Sequence, residues 1–263
     1  MEKRYSIEDF REIIKRLRGK DGCPWDKVQT HESLCSAMLE EAYEAVEAID
    51  RRDMKNLREE LGDVLLQVVF HASIEEEQGN FTFDDVVQGV CEKMIYRHPH
   101  IFGNVTADTP EAVLANWEEL KKKEKNVTTQ TQIMADVPLA LPALTRAAKV
   151  QKKAAAVGFD FSDAKDAWGK VQEEAAELEA EMEKPEGNIE EEFGDVLFAM
   201  VNVARFLQIN PEFSLTKATK KFINRFEYIE NSALSEGKQL SNMTLEEMDL
   251  LWEKAKKVLS KER

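Results

Sequence analysis

Apolar residues recur along this chain with the period of a helix. In residues 34–49, Leu34, Met38, Tyr43, Val46 and Ile49 form one stripe. In residues 193–207, Phe193, Val196, Leu197, Met200, Val203, Ala204 and Leu207 form another. Steps of three and four residues place such side chains on one helix face. Alternating strand-like runs are absent, so the pattern predicts an all-α protein. One stretch breaks the period: residues 121–136 are polar and aperiodic, and Pro138 and Pro142 follow. This composition reads as a linker over 122–136. It separates an N-terminal helical domain, residues 1–121, from a C-terminal one, residues 137–263.

The two halves repeat each other. LEEAYEAVE (39–47) parallels QEEAAELEA (172–180), and REELGDVLLQVV (58–69) parallels EEEFGDVLFAMV (190–201). KMIYR (93–97) matches KFINR (221–225), WEELK (117–121) matches WEKAK (252–256), and Pro24-Trp25-Asp26 aligns with Gly158-Phe159-Asp160. The order is kept and the offsets stay between 128 and 135 residues, as a tandem duplication requires.

Each half holds an ExxE followed by an ExxD: Glu41, Glu44, Glu60 and Asp63, then Glu174, Glu177, Glu192 and Asp195. Spacing of three puts both members of a pair on one face. Each set is symmetric about a midpoint, residue 52 in the first half and the 184/185 boundary in the second. The first midpoint falls in Asp50-Arg51-Arg52-Asp53 and the second in Glu183-Lys184-Pro185-Glu186-Gly187, a turn signal. Folding each segment as an antiparallel helix hairpin brings four carboxylates to one level. Four such charges repel unless a divalent cation joins them. All-oxygen ligands suit Mg²⁺, with Mn²⁺ as a substitute, rather than Zn²⁺. A di-iron bundle would show ExxH, and none of the histidines at 31, 71, 98 and 100 has a Glu three residues before it. Gly62 and Gly194 stand before the Asp in each half, where a mid-helix Gly costs about 1 kcal/mol relative to Ala. Close packing by the partner helix and close approach of a ligand both account for them.

A basic and aromatic set is duplicated too. Lys93/Arg97 and Lys221/Arg225 share Kx₃R, and Trp117/Lys121 and Trp252/Lys256 share Wx₃K. One helical turn aims both cations at one anion, and a Trp face suits a nucleobase. Core packing of the two tryptophans is the plainer account of them. With the carboxylates, the set points to Mg²⁺–nucleoside triphosphate: acids hold the metal, the metal bridges phosphates and activates a water, and cations neutralise the chain.

Charge and cysteines narrow the partners. The chain has 263 residues and a formal net charge of −15. Residues 1–125 hold 18 basic and 27 acidic side chains, so the surplus is not confined to a tail. A nucleic-acid binder needs a basic face, and neither half offers one. The longest largely apolar run, residues 64–70, is far short of the ~18–20 residues that cross a bilayer. Three cysteines without CxxC, and a charged N-terminus, predict reduced thiols in a cytoplasm.

EEAYE with EELGD, and EEAAE with EEFGD, resemble the EExxE…ExxD signature of the MazG family of all-α nucleoside triphosphate pyrophosphohydrolases. GCPWDKVQT (22–30), RHPHIF (97–102) and VGFDF (157–161) resemble its flanking motifs. The likeness covers nearly the whole chain in the tandem two-domain form. It implies two MazG-like helical bundles, a homodimer, and Mg²⁺-dependent hydrolysis of nucleoside triphosphates to monophosphate and pyrophosphate, with broad base preference and aberrant nucleotides among the substrates. It implies Glu174, Glu177, Glu192 and Asp195 as metal ligands, with Glu41, Glu44, Glu60 and Asp63 as their counterparts. It implies Lys221, Arg225, Trp252 and Lys256 as nucleotide contacts. Lys170, one turn before Glu174, has Ala37 as its counterpart, which favours the second half as the main catalytic unit with Lys170 reaching phosphate. A nucleotide-sensing module without turnover, and a helical interaction protein with solvated acids, are the competing readings.

Overall fold

The structure, a computed structural model, describes residues 4–124 and 129–259. The chain forms two compact units, residues 1–121 and 122–263. Among the described residues there is no strand. None of the described helices is long and apolar enough to cross a membrane.

In the first unit the order is α1 (Ile7–Arg18), a short α2 (Pro24–Lys27), α3 (His31–Arg51), α4 (Met54–Gln78), α5 (Phe83–Arg97), a short α6 (Pro99–Phe102) and α7 (Pro110–Glu124). Local chemistry sets the starts. Ser6, Thr30 and Thr82 each accept the N–H three residues on, and Asp9, Ser33 and Asp85 return the bond as capping boxes. The α3–α4 turn is tight. Arg52 takes a left-handed backbone with φ of 56°, and Asp53 caps α4 through the N–H groups of Lys55 and Asn56. Ile14, Leu34, Val69, Phe70 and Ile74 form the core, with Ile7, Phe10, Leu66 and Phe83 against it. Arg18, 9% exposed, ties three elements: it bonds Glu77 on α4 at 2.7 and 2.9 Å and donates to the Asp26 carbonyl at 2.8 Å. His31 and His71 join α3 to α4 through a 2.6 Å hydrogen bond between their Nδ1 atoms.

The second unit runs α8 (Gln130–Ala135), α9 (Ala143–Ala155), α10 (Ala164–Met182), α11 (Ile189–Phe206), α12 (Pro211–Ser235), a 3₁₀ turn (Leu240–Asn242) and α13 (Leu245–Leu259). α10 and α11 pack along each other, α9 lies on α11, and α12 pairs with α13 and touches α9. Ala167, Ala199 and Ala204 are buried, small side chains that let α10 and α11 approach closely. The stretch expected as a linker, 122–136, carries structure. α7 continues to Glu124, Thr129 caps α8, and α8 packs on α9. Ile133 and Met134 are half-buried in a helix too short to show a period. Residues 125–128 of that stretch lie outside the described residues.

The apolar stripes are only partly covered. Leu34 is buried, yet Met38, Tyr43 and Ile49 are 42%, 51% and 56% exposed. Phe193, Leu197, Met200 and Leu207 are likewise exposed, while Ala204 is buried. Each hairpin therefore buries one side in its own unit and leaves apolar surface on the other.

Candidate metal and nucleotide site

In each unit the helix hairpin puts the ExxE helix against the ExxD helix with the mirror-spaced acids at one level. In the second unit, carboxylate oxygens of Glu174, Glu192 and Asp195 lie within 4.8 Å of one another. Glu41, Glu60 and Asp63 form the same cluster in the first. Glu177 and Glu44 stand beside these trios rather than inside them. Their charge is felt there: burial and then Glu177, Asp195 and Glu174 push the Glu192 carboxyl above its ordinary pKa. Burial followed by Glu44, Asp63 and Glu41 does the same to Glu60. Glu41 is raised by burial, Asp63, Glu44 and Glu40. Glu174 is 6% exposed and Glu60 9%, so each cluster has one acid taken almost fully out of water.

The donor set fits a hard divalent cation. It is all carboxylate oxygen, it is repulsive as it stands, and it is nearly the right size. Oxygens around an octahedral Mg²⁺ stand about 3–4 Å apart, so a 4.8 Å cluster closes on the ion with a small contraction.

Lys170 bonds the carboxylates, at 2.6 Å to Glu174 and 2.7 Å to Glu173. These partners push its pKa further up, with Glu173 first. The sequence reading aims this cation at phosphate; in the structure it neutralises part of the cluster.

Arg225 on α12 meets Trp252 on α13, and Lys221 and Lys256 lie on the same two helices. The Arg225 guanidinium lies 5.4 Å from the Trp252 ring centre, and the Phe222 ring is 5.2 Å from it. Lys256 pairs with Glu253 at 2.5 Å. The first unit repeats the arrangement, with Arg97 over Trp117 at 5.4 Å. Within the unit, α12–α13 packs chiefly on itself and on α9. The basic set thus lies on different helices from the carboxylates.

Among the described residues, Gly62 and Gly194 do not serve helix packing within their own units. A Cβ built on either meets nothing within 4 Å. Of the two accounts the sequence allows, close packing by the neighbouring helix is removed, and close approach of a ligand remains.

The sequence reading missed the environment of Asp160. Arg205 binds both its carboxylate oxygens, one at 2.9 Å, and holds the carboxyl below its ordinary pKa. The Asp26/Asp160 alignment was the available signal. The second partner was hidden because the first unit ties its loop with Arg18 from α1, whereas the second uses Arg205 from α11.

With this geometry in hand, comparison with known proteins is informative. A family model described as the MazG nucleotide pyrophosphohydrolase domain matches residues 29–102 and 166–230, both hairpins included. The chain is 54% identical over 254 residues to "Uncharacterized protein YabN" of Bacillus subtilis; it is 96% covered there and spans about half (52%) of that longer protein. It is 45% identical over 250 residues to "Nucleoside triphosphate pyrophosphohydrolase/pyrophosphatase MazG" of Thermotoga maritima, with 95% of each chain covered. It is 41% identical over 255 residues to "Nucleoside triphosphate pyrophosphohydrolase" of Escherichia coli K12, covering 95% of this chain and 97% of the relative.

Proposed function

The chain belongs to the MazG family, whose nucleotide pyrophosphohydrolase domain it matches in both halves, and from that premise we propose that it hydrolyses nucleoside triphosphates to a nucleoside monophosphate and pyrophosphate. The observation that carries this reading is the repulsive, all-oxygen cluster of Glu174, Glu192 and Asp195, which an Mg²⁺–triphosphate would complete.

In this reading Glu174, Glu177, Glu192 and Asp195 hold Mg²⁺, with Mn²⁺ able to replace it, and Glu41, Glu44, Glu60 and Asp63 form the corresponding set. When bound, such a cation supplies Lewis acidity toward the phosphates and toward water. The protein residues do the rest. The four acids fix where the phosphate chain lies, with Glu174 held in place by Lys170. Lys221, Arg225 and Lys256 offset the charge of the triphosphate, and the Trp252 ring lies against the Arg225 guanidinium. Substrate range is broad in base, and removal of aberrant nucleotides is the role we assign.

The uncovered apolar faces of the hairpins favour a homodimer, because exposed rows such as Phe193, Leu197 and Met200 are stabilised when a second copy covers them. The three cysteines are unpaired, and we place the enzyme in the cytoplasm, without nucleic-acid or membrane partners.

The second unit is assigned the main turnover, since Lys170 has Ala37 as its counterpart. Pyrophosphate release by Glu192→Ala and Glu60→Ala, measured separately, tests this. Glu192→Ala is expected to lose most activity; a greater loss from Glu60→Ala would overturn the assignment.

A further inference from the structure

Trp252, the aromatic residue the sequence offers to a nucleobase, has its ring already engaged by Arg225 and Phe222. An aromatic-walled cavity of about 360 Å³ lies elsewhere in the same unit, bordered by Met134, Phe159, Phe161, Phe198, Gln151 and Asn202. We propose that this cavity seats the base of the substrate nucleotide, with Gln151 reading the base edge and Phe159 stacking on its face. The proposal rests on the nucleoside triphosphate reading above and adds the place where the base is held.

Four observations carry it. The first is position. On α11, Asp195, Phe198 and Asn202 follow one another at steps of three and four, so the cavity wall continues the face that carries the carboxylates. Asp195 and Phe198 are about 4.5 Å apart along the axis, which is the neighbouring turn. The second is an unsatisfied polar atom. Gln151 is 5% exposed; its Nε2 donates to the Phe198 carbonyl at 2.8 Å, and its Oε1 has no hydrogen-bond partner. A buried acceptor without a donor is destabilising, and an amino or ring N–H group of a base supplies one.

The third is charge. The one cation bordering the cavity, Arg205, is neutralised by both oxygens of Asp160 and donates to the side-chain Oδ1 of Asn202 at 3.1 Å. What remains is an aromatic, uncharged recess with amide groups, suited to a flat heteroaromatic ring and not to phosphate. The fourth is the repeat. Gln151, Phe198 and Asn202 align with Leu17, Leu66 and Phe70. In the first unit Phe70 is 4% exposed in the core and Leu66 packs against it. The second copy carries amides at two positions that are apolar in the first, and its Asn202 borders a cavity where Phe70 is buried in the first core.

The test uses the full chain and two variants, Gln151→Leu and Phe159→Ala. Phe159 is 82% exposed, so its truncation leaves the fold intact; circular dichroism checks both. Free adenosine, guanosine, cytidine and uridine are titrated at millimolar concentration without Mg²⁺, followed by ligand-observed NMR. KM and kcat for the four triphosphates are then measured with Mg²⁺. Wild type is expected to bind nucleosides, and each variant to bind them about five- to tenfold more weakly, with KM raised by a similar factor and kcat nearly unchanged, the loss of one stack or one hydrogen bond. Nucleosides that fail to bind wild type, or that bind both variants as tightly as wild type, would overturn the proposal. Wild type that binds nucleosides through Gln151 and Phe159 yet releases no pyrophosphate would keep the cavity and remove the hydrolytic reading.

Discussion

Replacing Glu41 by Gln is expected to make the metal-free protein more stable. Its carboxylate oxygens lie within 4.8 Å of those of Glu60 and Asp63. Two like charges at that distance repel by about 1 kcal/mol at the dielectric of water and about 3 kcal/mol at an effective dielectric near 20. Glu41 is half-buried and salt screens it, so the lower figure applies to its pairing with Asp63. A gain of about 1 kcal/mol moves the melting temperature of a unit this size up by roughly 4 °C. The sign with pH follows from the carboxyl itself, which burial and then Asp63 push above 4.5. Its folded form binds a proton more tightly than its unfolded form does. Stability therefore falls as pH rises through the raised pKa. The advantage of Glu41→Gln is full above that raised value and gone below the ordinary 4.5. Scanning calorimetry in EDTA at pH 7.5 and at pH 4 measures it. With Mg²⁺ added the order reverses, because an ion at a hundred times its Kd adds about 2.7 kcal/mol to a protein that binds it. A variant that melts at or below wild type in EDTA at neutral pH would show that the carboxylates do not strain one another.

Three further outcomes follow from the same geometry. Gly194→Ala has open space for its methyl group and gains helix propensity, so the free protein is expected to be stabilised by up to about 1 kcal/mol while triphosphate turnover falls; unchanged turnover would mean that nothing approaches the backbone there. Asp160→Asn loses the bidentate bond from Arg205, and its deficit in urea midpoint is full above 3.8 and shrinks as pH falls through the lowered folded pKa; a deficit that persists in acid would assign it to packing. Ile14→Ala, at a site 2% exposed in the first core, is expected to cost about 2–4 kcal/mol in chemical denaturation and to leave pyrophosphate release by the second unit intact at low temperature.

What the sequence made legible was the part written in local spacing. Helical period, capping residues and the mirror placement of Glu174/Asp195 and Glu177/Glu192 each depend on residues a few turns apart, and the hairpins follow from them. The turns fall where the symmetry puts them, at Arg52-Asp53 and between Met182 and Ile189. The harder features depend on contacts that no period encodes. Lys170 shares a helix with Glu174 and is held by it, because a bare carboxylate one turn away is the nearest anion. α8 is six residues long, under two turns, and takes its stability from α9. The cavity needs Phe159 from a loop, Gln151 from α9 and Phe198 from α11 at once. Each of those residues reads alone as ordinary apolar or polar decoration. The apolar stripes were visible, but which side of each hairpin its own unit covers was not. That depends on how many helices are available to pack against it.

The central claim is that the carboxylate cluster of the second unit directs cleavage of nucleoside triphosphates between the α- and β-phosphates. Phosphorus NMR of the products formed from a nucleoside triphosphate by wild type and by Glu192→Gln, with Mg²⁺ and with EDTA, tests it most directly. Monophosphate and pyrophosphate from wild type with Mg²⁺, and neither product in the other three samples, is the predicted result. Diphosphate and inorganic phosphate as products, or undiminished turnover by Glu192→Gln, would contradict it.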